Sequence, residues 1–126
     1  MKQIRNLFLL AVCIVSLQAF CQETFTVGDL KYTIISRDAK VVNVGAANTN
    51  TSISGDIIIP ATVSFEGISF NVIGFEEYGF NGCVIESLSI AVGINKICRY
   101  AFSNCTISSI TIPNSVTDIE SNAFSY

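Results

Sequence analysis

Three of the five cysteines in this 126-residue chain, Cys83, Cys98 and Cys105, hold most of its nucleophilic chemistry. Cys98 is the most arguable nucleophile, because Arg99 beside it would lower a thiol pKa and favour the thiolate. A cysteine nucleophile also needs a base to take its proton, and the chain has no histidine. Next to Ile97, Cys98 reads more simply as a packing thiol. Acid–base work would then fall to carboxylates, and the closest sets are Glu76 with Glu77, and Asp118 with Glu120 on either side of Ile119. Adjacent residues of a turn diverge into water, so both sets read as solvated acidic patches rather than catalytic pairs. With no histidine and no C-x-x-C pair a zinc ligand set is missing, and no nucleophile elbow, phosphate loop or calcium loop is present. The chain reads as a non-enzyme, with no catalytic, cofactor or metal site.

Cys83 and Cys105 point elsewhere, because they stand one 22-residue step apart and so does much of what surrounds them. The run Ile97-Cys98-Arg99-Tyr100-Ala101-Phe102 returns as Ile119-Glu120-Ser121-Asn122-Ala123-Phe124, and Phe75-Glu76-Glu77-Tyr78-Gly79-Phe80 is a weaker earlier copy. Ile85 returns as Ile107, Ser87 as Ser109, Leu88 as Ile110, Ile90 as Ile112 and Ile94 as Val116. A fixed step of this length marks a solenoid. On successive coils Cys83 and Cys105 would lie one strand spacing apart, about 5 Å. That is within reach of a disulfide if their orientation suits; two stacked buried thiols acting as apolar filler are the alternative.

Ile85-x-x-Leu88-x-Ile90 and Ile107-x-x-Ile110-x-Ile112 have the L-x-x-L-x-L spacing of a leucine-rich repeat, whose last two apolar residues point inward from a strand. Ile94 with Ile97, then Ala101 with Phe102, are spaced for a short helical or 3-10 turn that carries the chain round the back, its Phe plugging the interior. Phe80, Phe102 and Phe124 would form a spine, with the small residues Gly79, Ala101 and Ala123 letting coils approach. Upstream, residues 25–27, 32–35, 41–44 and 57–59 read as short strands. The stretch 46–55, rich in Asn, Thr and Ser, reads as a solvated loop. Residues 63–65 and 68–72 flank Glu66-Gly67 as a hairpin. The predicted fold is a β-rich solenoid of 22-residue leucine-rich repeats with short helical or 3-10 turns, preceded by a β-hairpin N-terminal cap.

Lys2 and Arg5 precede an apolar stretch over 7–17, and Ala19 and Cys21 stand before polar Gln22 and Glu23, the pattern of a secretory signal peptide. Ala19 and Cys21 suit cleavage after Cys21; bulky Phe20 argues against lipidation of Cys21 itself. The apolar stretch falls short of the roughly 20 residues a membrane-spanning helix needs. The chain has 7 basic and 10 acidic residues, so removing Lys2 and Arg5 leaves a net charge of about −5. Nucleic acid is then an unsuitable partner. Three segments follow: a signal peptide over 1–21, a β-rich lead-in over 22–73, and repeat coils over 74–126.

These residues resemble the BspA-like, or Treponema pallidum type, leucine-rich repeat family. Its pattern, roughly I-x-I-P-x-S-V-T-x-I-x-x-x-A-F-x-x-C, is met by Ile110-Thr111-Ile112-Pro113-Asn114-Ser115-Val116-Thr117-Asp118-Ile119 followed by Ala123-Phe124. Ala101-Phe102-Ser103-Asn104-Cys105 matches its junction. Ala91 replaces the expected proline in the earlier coil, and Phe75 takes the inward position in the first. Tyr126 falls mid-coil, an expectation of truncation or of an end-to-end partner. The resemblance implies a secreted or cell-surface module for protein interaction and adhesion; a structural cap for a longer array is the alternative. The outward positions Ser87, Ser89, Ser109 and Thr111 form the candidate ligand face, for a protein or glycan.

Overall fold

A computed structural model of the chain describes residues 22–48 and 52–126. The expected signal peptide, Cys21 and part of the 46–55 stretch lie outside the described residues. Ten strands run in order: β1 Thr24–Val27, β2 Leu30–Ser36, β3 Val41–Ala46, β4 Ser52–Ile59, β5 Thr62–Phe65, β6 Ile68–Phe75, β7 Val84–Ile90, β8 Lys96–Ile97, β9 Thr106–Thr111 and β10 Asp118–Ile119.

They form two ladders. One is wholly parallel, in the order β9-β7-β4; the other runs β10-β8-β6-β3-β2-β1, with β5 hairpinned onto β6. The 22-residue step becomes register: Ile107 pairs with Ile85, Ile110 with Leu88, Asp118 with Lys96 and Ile119 with Ile97. Phe75 lies opposite Ile97, so it does occupy the inward place of the first copy, and Val44 lies opposite Phe75 in turn. Glu66 and Gly67 both take positive φ, 52° and 75°, the backbone of a two-residue type I′ turn, which is why this pair closes the β5–β6 hairpin.

Alternation on the strands decides which side chains fill the space between ladders. Ile85, Leu88 and Ile90 point inward with Ile57 and Ile59 of β4, and meet Phe70, Val72, Phe75, Ile94 and Ile97 from the other side. Their counterparts Ile107, Ile110 and Ile112 are more exposed, because no strand pairs with the far edge of β9 among the described residues. Down the centre runs the aromatic spine: Phe80 stacks on Phe102 at 5.1 Å and Phe102 on Phe124 at 5.2 Å, with interplanar angles of 15° and 5°.

The corners correct two expectations. No described residue is helical, so the short helical or 3-10 turn is absent. In its place successive β-turns carry the chain: Gly79 N donates to Glu76 O, Asn81 N to Tyr78 O and Cys83 N to Phe80 O, and the later corners repeat the pattern. Tyr78, Gly82, Tyr100, Asn104 and Asn122 all have left-handed φ. Such residues stop a right-handed helix from propagating and put a type II signature at each turn. The loop expected over 46–55 is also shorter, since Ala46 is a buried end of β3 and β4 already begins at Ser52. Parallel pairing of Ser52 with Val84 and Ile53 with Ile85 extends β4, with a register shift before Asp56.

Candidate functional site

Parallel register sets the four candidate residues in two rows on the outer face of the β9-β7-β4 ladder. Ser87 lies opposite Ser109, and Ser89 opposite Thr111. Ser89, Ser109 and Thr111 are exposed and Ser87 is half-buried. Strand β4 extends both rows with residues the repeat period did not point to: Asp56 beside Ser87, and Ile58 beside Ser89. Ser87 Oγ donates to Asp56 Oδ1 at 2.5 Å, and Ile58 is 70% exposed. Their signal was present, since Ile57-Ile58-Ile59-Pro60 has the same I-x-I-P form as Ile110-Thr111-Ile112-Pro113. The face is thus a rigid, shallow surface of hydroxyls with one carboxylate and one apolar side chain. It can exchange hydrogen bonds with a ligand lying across the strands.

Cys98 departs from the nucleophile pattern. Arg99 does not serve the thiol: its Nε donates to Glu77 Oε2, while its backbone N donates to Glu120 Oε2 at 3.1 Å. Burial, reinforced by the Glu120 carboxylate, pushes the Cys98 thiol above its ordinary value despite the opposing Lys96. The reactive species is the thiolate. Labelling of Cys98 by a maleimide at pH 7 should therefore run at least about tenfold slower than in the unfolded chain and accelerate only in alkaline solution. Equal folded and unfolded rates would contradict this placement.

The acidic pairs separate as expected of adjacent turn residues. Glu76 accepts from Thr33 Oγ1 and pairs with Lys31 Nζ at 3.3 Å, whereas Glu77 goes to Arg99. Glu120 pairs with Lys96 at 3.2 Å, and that partner's hydrogen bond holds its carboxyl below the usual range. A polar cavity of about 250 Å³ lies beside Glu76 and Glu77, lined also by Gln22, Thr33, Ile35 and Asn43. Among the described residues no group of three or more His, Cys, Asp or Glu could hold a metal. Cys83 and Cys105 are both buried and neither is in a disulfide; Cys105 Sγ–H donates to Phe80 O at 2.7 Å.

One surface escaped the sequence reading. Tyr78 and Tyr100 occupy left-handed turn positions, φ 58° and 57°, on successive corners, and their rings stack at 4.9 Å with an interplanar angle of 2°. Asn122, at φ 59°, takes the same place on the next corner and donates from Nδ2 to Tyr100 Oη at 3.1 Å. The left-handed conformation costs an L-residue roughly 1–2 kcal/mol. Stacking returns about 0.5–1.5 kcal/mol. The two nearly cancel, and Tyr78 is still 49% exposed, so burial does not account for the tyrosines. The 22-residue spacing of Tyr78 and Tyr100 was the available signal.

The sequence pattern described as BspA type leucine rich repeat region, in 6 copies, matches residues 61–126. No curated protein matches the chain. Solved structures share the fold: a leucine-rich repeat protein from Bacteroides ovatus has a TM-score of 0.56 at 19% identity, covering 73% of this chain and 24% of its own. One from Bacteroides capillosus has a TM-score of 0.53 at 21% identity, covering 78% and 88%. The pneumococcal vaccine antigen PcpA has a TM-score of 0.58 at 17% identity, covering 82% and 30%. The chain thus spans about a quarter of the B. ovatus protein and nearly all of the B. capillosus one. At these identities the likeness is one of fold alone.

Proposed function

Because the chain belongs to the BspA type of leucine-rich repeat proteins, we propose that it is a secreted or cell-surface protein-interaction module used in adhesion, with no catalytic role. Residues 1–21 act as its signal peptide, cut after Cys21. Residues 74–126 form the coils of a solenoid behind a β-rich lead-in over 22–73, and Ser87, Ser89, Ser109 and Thr111 form its ligand face, to which Asp56 and Ile58 are added. The observation that carries this reading is the register of the outer rows, Asp56–Ser87–Ser109 and Ile58–Ser89–Thr111, which presents side chains from three strands on one open surface. A protein segment laid across these rows would meet hydroxyls along its length and an apolar contact at Ile58; a glycan would use the hydroxyls and Asp56.

Hydroxyl rows of this size supply few strong anchors, so a single chain should bind weakly and gain from multivalency. The test is capture of the exported chain on coats of collagen, laminin and fibrinogen, with Ser89→Glu and Thr111→Glu together. Loss of about tenfold or more in affinity is expected, equivalent to about 1.4 kcal/mol. The two carboxylates would face each other across the strand pair, a like-charge cost of roughly 0.2–1 kcal/mol, so the fold should survive. Capture unchanged by the double variant would remove this face as the ligand site.

A second reading is supported by β3 and β6, which pair in parallel as neighbours in the ladder that continues through β8 and β10. An N-terminal segment so continuous with the coils suits a cap that starts a longer array, with the ligand held elsewhere. Ligand capture that survives both strand-face and corner substitutions would favour it.

A further inference from the structure

From the corner that carries Tyr78 and Tyr100, we infer a second contact surface, distinct from the strand face, that takes an uncharged loop of a partner protein. It rests on the reading of the chain as an interaction module and goes beyond it by naming another surface and the chemistry of its occupant.

The corner combines the two residue types most enriched at the energetic centres of protein interfaces, tyrosine and arginine, which the strand face lacks. The pair is held rigidly. Each Tyr backbone is fixed by turn hydrogen bonds from Gly79 N to Glu76 O and Ala101 N to Cys98 O, and the rings fix each other at 4.9 Å. A side chain already immobilised loses less entropy on binding. The left-handed backbone at both positions is one that asparagine or glycine adopts with less strain, as Asn122 does on the next corner. A bulky residue at such a place, with its ring left half in solvent, is the kind of outlier from which a functional surface is inferred.

The contacts already made define the partner. Arg99 and Glu77 pair with each other, so the ridge shows no uncompensated charge from either and gives no reason for a strongly charged ligand. Tyr100 Oη accepts from Asn122, which leaves its own O–H to donate outward. Arg99 is paired through Nε, and its guanidinium end has further donors on a side chain 61% exposed. Outward donors beside aromatic rims fit a loop that offers backbone carbonyls. Stacking spends one face of each ring, and Asn122 bonds to Tyr100 from the next corner, so the arrangement suits rim and hydroxyl contacts more than a sugar laid flat on a ring.

The experiment replaces Tyr78→Asn and Tyr100→Asn together in the exported chain and measures capture on the same collagen, laminin and fibrinogen coats, alongside the thermal midpoint. Asparagine suits the left-handed backbone, so the midpoint should hold. The expected result is a loss of tenfold or more in affinity for at least one coat, with less than a twofold change between 0.15 and 0.5 M salt, and retention after the coat is deglycosylated. Wild-type capture unaffected by the double variant would overturn the ridge while leaving the module reading intact. Wild-type failure on every coat counts against the module reading and the ridge together. A tenfold loss in salt would assign a charged partner, and loss on deglycosylation a glycan; either overturns the occupant named here.

Discussion

Phe102→Ala should lower the thermal midpoint by roughly 15–30 °C, from a loss of about 3–5 kcal/mol at about 4–8 °C per kcal/mol for a domain of this size. Phe102 is 1% exposed and is the ring through which the spine passes: it stacks on Phe80 and Phe124 and meets Phe75 edge-on at 5.1 Å. Truncation leaves a cavity between two corners whose backbones are joined, Phe80 N to Ala101 O and Phe102 N to Ala123 O, so the walls cannot collapse without breaking those bonds. Set against a total stability of about 5–15 kcal/mol, that loss places the variant near the limit of folding. Phe102→Leu keeps most of the volume and loses the stacking, at a cost of about 1–1.5 kcal/mol. A calorimetric scan of both separates cavity from stacking, and an alanine variant melting within about 5 °C of wild type would contradict the spine.

The same spine explains why the repeats were legible in the sequence. Equivalent places on successive repeats face equivalent neighbours, so Phe80, Phe102 and Phe124, or Leu88 and Ile110, recur in type, and a period read from letters becomes a register of strands. Burial was legible for the same reason: Ile94, Ile97, Ala101 and Phe102 are all inside. Their conformation was not. Apolar residues three or four apart suit a helical turn and also suit three linked β-turns, and the difference lies in left-handed φ at Tyr100 and Asn104. Asparagine at 104 and 122 and glycine at 82 pointed to it, whereas Tyr78 and Tyr100 concealed it.

Strand β4 shows a different limit. Ser52 to Gly55 have the composition of a loop, and they join a strand because β7 offers an open parallel edge whose backbone groups bond to any residue. Its offset from β7 also differs from the repeat step, so a search by period alone could not place Asp56 and Ile58 on the candidate face. The face was therefore half visible, two of its three strands being periodic.

Gly45→Val tests the joint between the lead-in and the repeats, and an expected loss of about 3 kcal/mol makes it the second large effect. Ala46 N donates to Gly79 O at 2.7 Å, as Phe80 N does to Ala101 O and Phe102 N to Ala123 O, so Gly45, Gly79, Ala101 and Ala123 form one column of small residues. At Gly45 a Cβ would meet the Gly79 Cα and O at 3.1 Å, and both are backbone atoms with no side chain to swing aside. Glu76 N also donates to Val44 O at 3.0 Å, which clamps the corner onto β3 and prevents it from backing away. Alanine asks the backbones to give by a few tenths of an ångström, at about 1–2 kcal/mol; the branched valine asks for more than that joint can give. With a urea dependence of about 1–3 kcal/mol/M, the valine variant should unfold at a midpoint lower by about 1–2 M. Val42→Ala, in the same strand but away from the joint, serves as comparison: it creates a cavity without forcing the layers apart. If the joint carries the coupling, Gly45→Val should separate unfolding into two transitions, lead-in and repeats, while Val42→Ala keeps one. A single transition at the wild-type midpoint for Gly45→Val would mean that the two glycines do not hold the layers in contact.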